Sequence, residues 1–104
     1  MRKKTIIEKN SSIGIKAVAP WRVTMVIALP NYQLEVKFVD GVHGFVEMAH
    51  LIMSDQAGVF AALKDKSIFE QAYLNYGAVA WPGEIDLAPD AMHNEIQQHG
   101  RWIL

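Results

Sequence analysis

The sequence predicts an α+β domain: an antiparallel β-meander plus a β-hairpin, with short helices and a C-terminal helix. Three observations carry this. Apolar residues recur with period two from Trp21 onward, turn residues interrupt that pattern at short intervals, and a proline–glycine bracket encloses the stretch from Pro89 to Gly100. Period two sends alternate side chains to opposite faces of a sheet.

In the first strand Trp21, Val23, Met25, Ile27 and Leu29 form one set, alternating with Arg22, Thr24, Val26 and Ala28. Pro30-Asn31 ends it, since proline lacks the amide donor and asparagine tolerates turn geometry. Leu34, Val36 and Phe38 then share one face of a second strand, and Glu35 and Lys37 share the other. At Asp40-Gly41 the register can be argued. A two-residue loop sets that apolar face beside His43, Phe45 and Glu47. A three-residue loop, Val39-Asp40-Gly41, puts the glycine at the left-handed bulge position. It sets the same face beside Val42, Gly44, Val46 and Met48, which keeps charge off the core. The three-residue loop is preferred, and the meander runs over roughly residues 21–48.

Short helical segments follow at Ala49–Met53 and Val59–Leu63, split near Gly58, with Val59, Phe60 and Leu63 on one face. Ser67 and Glu70 have capping-box spacing, so a single turn is expected to plant Phe69 in the core. Gln71–Tyr76 and Ala78–Trp81 read as a hairpin around Asn75-Tyr76-Gly77, ended by Pro82-Gly83. Pro89 suits the first turn of a helix, and Asp90 suits its positive end. Met92 and Ile96 turn inward, and Gly100 closes it. Arg101-Trp102-Ile103-Leu104 is apolar enough to dock on the body.

The 104 residues fit one domain able to bury roughly two-thirds of its unfolded surface. The absence of cysteine excludes disulfides, thiolate zinc sites and a cysteine nucleophile. Residues 1–18 are expected to be a flexible basic N-terminal tail with a short edge strand near Ile13–Val18, and residues 19–104 the domain. Residues 1–20 carry a net charge of +4, with Arg2, Lys3 and Lys4 at the start, and residues 21–104 carry −5. A basic segment on an acidic body could touch nucleic acid, but the acidic body itself opposes phosphate binding. Met1-Arg2-Lys3-Lys4 resembles the start of a signal peptide, yet Glu8, Lys9 and Asn10 interrupt the apolar run that would follow. A cytoplasmic location with no membrane span is expected.

No pattern announces catalysis. His43, His50, His93 and His99 show no paired i,i+4 spacing. Ser11, Ser12, Ser54 and Ser67 lie in no nucleophile elbow, and no phosphate-binding glycine loop is present. Neither a catalytic residue, a metal ligand, a cofactor nor a small-molecule substrate is identifiable. Glu84, Asp86 and Asp90 cluster before the last helix. An enzymatic or small-ligand reading requires them to converge with His43, His50 or His93 in a pocket. The structural alternative gives Asp86 backbone hydrogen bonds in a turn and Asp90 a helix start, with Gly41, Trp81, Pro82 and Pro89 as further turn and cap residues. Trp21, Phe38, Phe45, Tyr73, Tyr76 and Trp81 could stack on bases, but core packing and cross-strand pairing account for most of them. Phe45 faces away from the apolar side in the preferred register. With Trp21 and Trp102 it is a candidate for protein interaction, as are Arg2, Lys3 and Lys4.

Several strings resemble the prokaryotic domain of unknown function 2442 family: Trp21-Arg-Val, Ala28-Leu-Pro-Asn-Tyr-Gln-Leu34-Glu-Val-Lys-Phe38-Val-Asp-Gly41, Gly44-Phe-Val-Glu-Met48, Gly58-Val-Phe60-Ala-Ala-Leu63-Lys-Asp65 with Phe69, Gly77-Ala-Val-Ala-Trp81-Pro82 and Asp86-Leu-Ala-Pro89-Asp90. The resemblance covers about residues 20–95. Where that family often reads Trp-Pro-Asn-Gly, this chain has Trp81-Pro82-Gly83-Glu84, which leaves the turn type open. The resemblance implies a small α+β fold with no established activity or agreed catalytic residues. Some relatives carry a later helix-turn-helix region, which is not expected in a sequence ending at Leu104. Relatives are often encoded beside another small protein, in an arrangement like a toxin–antitoxin pair. The expectation is a non-enzymatic protein-interaction or regulatory module, antitoxin-like, with a protein partner or self-association. The alternatives are a ligand site at the Glu84–Asp90 turn and nucleic-acid binding by the basic tail.

Overall fold

The computed structural model describes residues 5–7 and 19–104. The expected edge strand near Ile13–Val18, and Arg2, Lys3 and Lys4, lie outside the described residues. Strand β1 (Thr5–Ile7) pairs antiparallel with β2 (Val23–Leu29). Strands β3 (Gln33–Phe38) and β4 (His43–Glu47) complete the meander, which is antiparallel throughout.

The preferred register at Asp40-Gly41 is observed. Leu34 lies opposite Val46 and Val36 opposite Gly44, while the Phe38 amide donates to the Val42 carbonyl at 2.8 Å. Gly41 sits at φ 94, where an L side chain is disfavoured. The phase of β2 differs from expectation. A bulge falls between Val23 and Met25: Val23 faces Phe38, Met25 faces Lys37, and Thr24 is the extra residue. One added residue flips every side chain beyond it. Val23 and Val26 are therefore the buried pair, and Met25, Ile27 and Leu29 leave the core face. Trp21 lies outside the strand, in the turn before it.

Helix α1 (Ala49–Met53) and a 3₁₀ segment (Gly58–Lys64) follow. Leu63 is buried and Phe60 packs against the core, but Val59 is exposed. A 3₁₀ turn repeats every three residues, so the expected α-helical face does not form. Helix α2 (Lys66–Phe69) does deliver Phe69 to the core. Its cap is Asp65, not Ser67: the Asp65 carboxylate accepts the Ser67 amide at 3.0 Å and the Ser67 hydroxyl at 2.7 Å.

The second sheet comprises β5 (Tyr73–Asn75), β6 (Ala78–Trp81) and β7 (Ile85–Asp86). Between β5 and β6 the loop is Tyr76-Gly77, with φ 51 and 84, as a type I′ hairpin requires. Pro82-Gly83-Glu84 does not end the sheet. It returns the chain into β7, with Trp81 opposite Ile85 and both Gly83 and Glu84 at positive φ. Trp81 is fully buried and donates its indole N–H to the Phe69 carbonyl at 2.9 Å. That satisfies the one polar atom of the largest core side chain.

Helix α3 (Pro89–His99) has Pro89 in its first turn, Met92 and Ile96 inward, and left-handed Gly100 as its stop. The chain then turns back as β8 (Arg101–Ile103), parallel to β4 with Trp102 opposite Val46. The main sheet thus has the order β1-β2-β3-β4-β8. No helix among the described residues is long and apolar enough to cross a membrane.

Candidate interaction surface

Arg22 sits where three segments meet. Its carbonyl accepts the Val39 amide at 2.8 Å, from the loop after β3. The next residue, Val23, donates its amide to the Gly77 carbonyl at 2.9 Å, at the tip of the β5–β6 hairpin. The Arg22 side chain lies over Gly77 where any Cβ would stand. Glycine is therefore required there twice, for its φ and for the arginine packed on it.

Around this junction stand Trp21, Val39 and Tyr76, which are 39%, 37% and 84% exposed. Core packing and cross-strand pairing were expected to account for most of the aromatics. Tyr76 is an exception, because the first position of the type I′ turn points it outward. That position favours asparagine, aspartate or glycine, and an aromatic residue held at φ 51 costs on the order of 1 kcal/mol. The chain thus holds an exposed ring in an unfavourable backbone region. Tryptophan, tyrosine and arginine are also the residues that most often dominate binding energy at interfaces. Of this group, sequence reading singled out only Trp21. The missed signal is a tyrosine in the Asn75-Tyr76-Gly77 turn.

The other expected candidates lie elsewhere. Phe45 is on the outer sheet face as expected, but only half-exposed, with the Arg101 guanidinium 5.7 Å from its ring centroid and the His43 ring at 5.9 Å. Arg101 in turn pairs with Glu47, and His43 Nε2 is 2.7 Å from Glu35. Trp102 is on the opposite face, packed against the core. Phe45, Trp21 and Trp102 therefore do not form one patch.

The carboxylates do not converge with histidines. Glu84 and Asp86 line a cleft with Tyr73 and Asn75 on the second sheet, and no histidine lines it. His93 instead lies 2.8 Å from Asp40, against the edge of Phe38. Asp90 accepts the Ala91 amide at 2.9 Å, at the helix start as expected. Asp86 is exposed, and its carboxylate accepts no hydrogen bond from the described residues, contrary to the turn role expected of it. Among the described residues no three His, Asp or Glu side chains gather where they could hold a metal ion. The Asp40 carboxyl is held below its ordinary value, first by the Val42 amide and then by His93.

The fold and this surface define a small α+β protein of two sheets, antiparallel except where β8 joins β4, with Trp21 and Tyr76 exposed beside the junction between them. The chain belongs to the family described as protein of unknown function (DUF2442), whose model matches residues 23–98. Neither the curated proteins nor the solved structures yield a match to it.

Proposed function

We propose that this protein is a non-enzymatic interaction module that docks a protein partner through Trp21, Arg22, Val39 and Tyr76. The observation that carries the reading is Tyr76: its ring is the most exposed large apolar group of the described chain and is held at a left-handed turn position. A surface ring serving no packing role leaves that backbone cost uncompensated within the monomer. A partner burying the ring supplies the compensation. An antitoxin-like role, with a cytoplasmic partner encoded nearby, is the biological form of this proposal suggested by family analogy.

The test compares the native chain with a Trp21→Ser, Tyr76→Asn double variant in affinity capture from native lysate and in sedimentation velocity. The expected result is a stoichiometric partner, or self-association, that the double variant loses while a Val59→Ser control retains it. If the native chain sediments as a monomer and captures nothing, or if the double variant captures as well as the native chain, the proposal fails.

A further inference from the structure

A second feature lies at the far end of the β2–β3 hairpin. The turn Pro30-Asn31-Tyr32 and helix α2 enclose a groove of about 430 Å³. Its floor is apolar, from Leu29, Pro30, Tyr32 and Phe69, and Asn31, Lys66 and Glu70 stand around it. The volume falls at the small end of ligand-binding clefts.

The wall is rigidly held. Asn31 and Tyr32 both lie in the left-handed region, at φ 64 and 58, and two consecutive non-glycine residues there are rare. Tyr32 is pinned from three sides. Its hydroxyl donates to the Lys64 carbonyl at 2.6 Å, its ring meets Phe69 edge-on at 5.4 Å, and its carbonyl accepts the Met48 amide at 2.9 Å. A wall fixed before binding lowers the cost of binding.

The charges are what select a ligand. Lys66 and Glu70 are four residues apart and near enough in sequence to pair. Yet they form no ion pair with each other or with any other described residue. An ammonium and a carboxylate thus stand uncompensated beside one apolar floor. We propose that the groove binds a free apolar α-amino acid, with its side chain on Tyr32 and Phe69, its carboxylate toward Lys66, and its ammonium toward Glu70 and the Asn31 amide oxygen. A mid-chain peptide segment brings no terminal charges, and so leaves both ions unmatched.

The test is a heteronuclear NMR titration of the full chain with L-phenylalanine and L-leucine up to about 10 mM, a range that captures weak affinities. Saturable shifts are expected at Leu29, Tyr32 and Phe69. Lys66→Gln and Glu70→Gln each weaken binding about tenfold, as loss of one charge-assisted contact implies. N-acetylphenylalanine, which lacks the ammonium, is expected to be indifferent to Glu70→Gln. Phenylalanine amide, which lacks the carboxylate, is expected to be indifferent to Lys66→Gln. Both positions are partly or fully exposed, so the variants keep the fold. Absence of saturable shifts overturns the proposal. So does binding in either variant as tight as in the native chain, or binding of doubly capped phenylalanine as tight as of the free amino acid, which would make the groove a seat for a polypeptide side chain. None of these outcomes bears on Trp21 and Tyr76, so the two proposals stand or fall separately.

Discussion

Gly44 shows how much can rest on a missing side chain. A Cβ built there meets the Gly100 carbonyl oxygen and Ile96 Cγ2, both at 2.5 Å. The residue allows the end of α3 to lie against β4. Gly44→Ala is expected to cost about 2 kcal/mol, the scale of overpacking in a filled core, and urea denaturation would measure it. Nothing local in the sequence announces that role, because the contact is to residues more than fifty positions away. Gly41 was legible by contrast, since its turn lies between two strands whose alternation fixes the loop length. Tyr76 offers the opposite prediction. Tyr76→Asn places a residue suited to φ 51 and is expected to raise stability by roughly 1 kcal/mol. A midpoint in urea that stays level or drops would show that the ring supports the fold, and would weaken the interaction proposal with it. A residue that destabilises the free protein and strengthens a complex is what a binding hot spot predicts.

Elements were legible in proportion to how locally they are determined. The β3–β4 pairing, the Tyr76-Gly77 hairpin and helix α3 carry their own periodicity and punctuation, and the structure keeps all three. The β2 bulge was not readable, because Trp21–Leu29 alternates without a break and only pairing with β3 shows where the extra residue falls. Strands β7 and β8 are two and three residues long, too short for a period, and exist by pairing with β6 and β4. The cap of α2 was misplaced for a chemical reason. Ser67 has the right spacing to Glu70, but the Glu70 amide bonds the Lys66 carbonyl, and the helix is capped two residues earlier, where the charged Asp65 carboxylate accepts the Ser67 amide. Asp65→Ala is therefore expected to lower the melting temperature, as loss of an N-cap does. Ser67→Ala keeps that amide bond and should cost distinctly less. Thermal melts of the two variants decide between the caps, and equal losses would restore serine to the role. As for the candidate surface, the sequence exposed one member, Trp21. Val39 and Tyr76 join it only because the Arg22 carbonyl and the Val23 amide bind two distant turns.

Across the whole molecule, one contact ties the meander to the last helix through ionisable groups. His93, buried in α3, lies 2.8 Å from Asp40 in the β3–β4 loop, 53 positions away in sequence. Asp40 uses its other oxygen to accept the Val42 amide at 3.0 Å. Both interactions favour the carboxylate and hold its pKa below the ordinary 3.8. Asp65, which binds the Ser67 hydroxyl and amide, is lowered in the same way. The sign follows from linkage. A group with a depressed folded pKa binds fewer protons in the native state than in the unfolded one. Its contribution is complete above the unfolded value and disappears as pH falls through the folded value. The native chain should thus lose stability between about pH 5 and pH 3, the span over which these carboxyls begin to protonate. Asp40→Asn removes one titrating group and Asp65→Asn the other. Each should lower stability at pH 6, and each should make the acid limb shallower. Urea midpoints taken at half-unit intervals of pH would measure both effects. A limb equally steep in Asp40→Asn would mean that the loop carboxylate is a bystander and that α3 is held to the meander by its apolar face alone. A shallower limb would make the Asp40–His93 contact part of what keeps Val39, one residue away, in place beside Arg22. The aromatic surface would then loosen in acid before the core does, and Trp21 fluorescence near pH 4 would change ahead of the global transition.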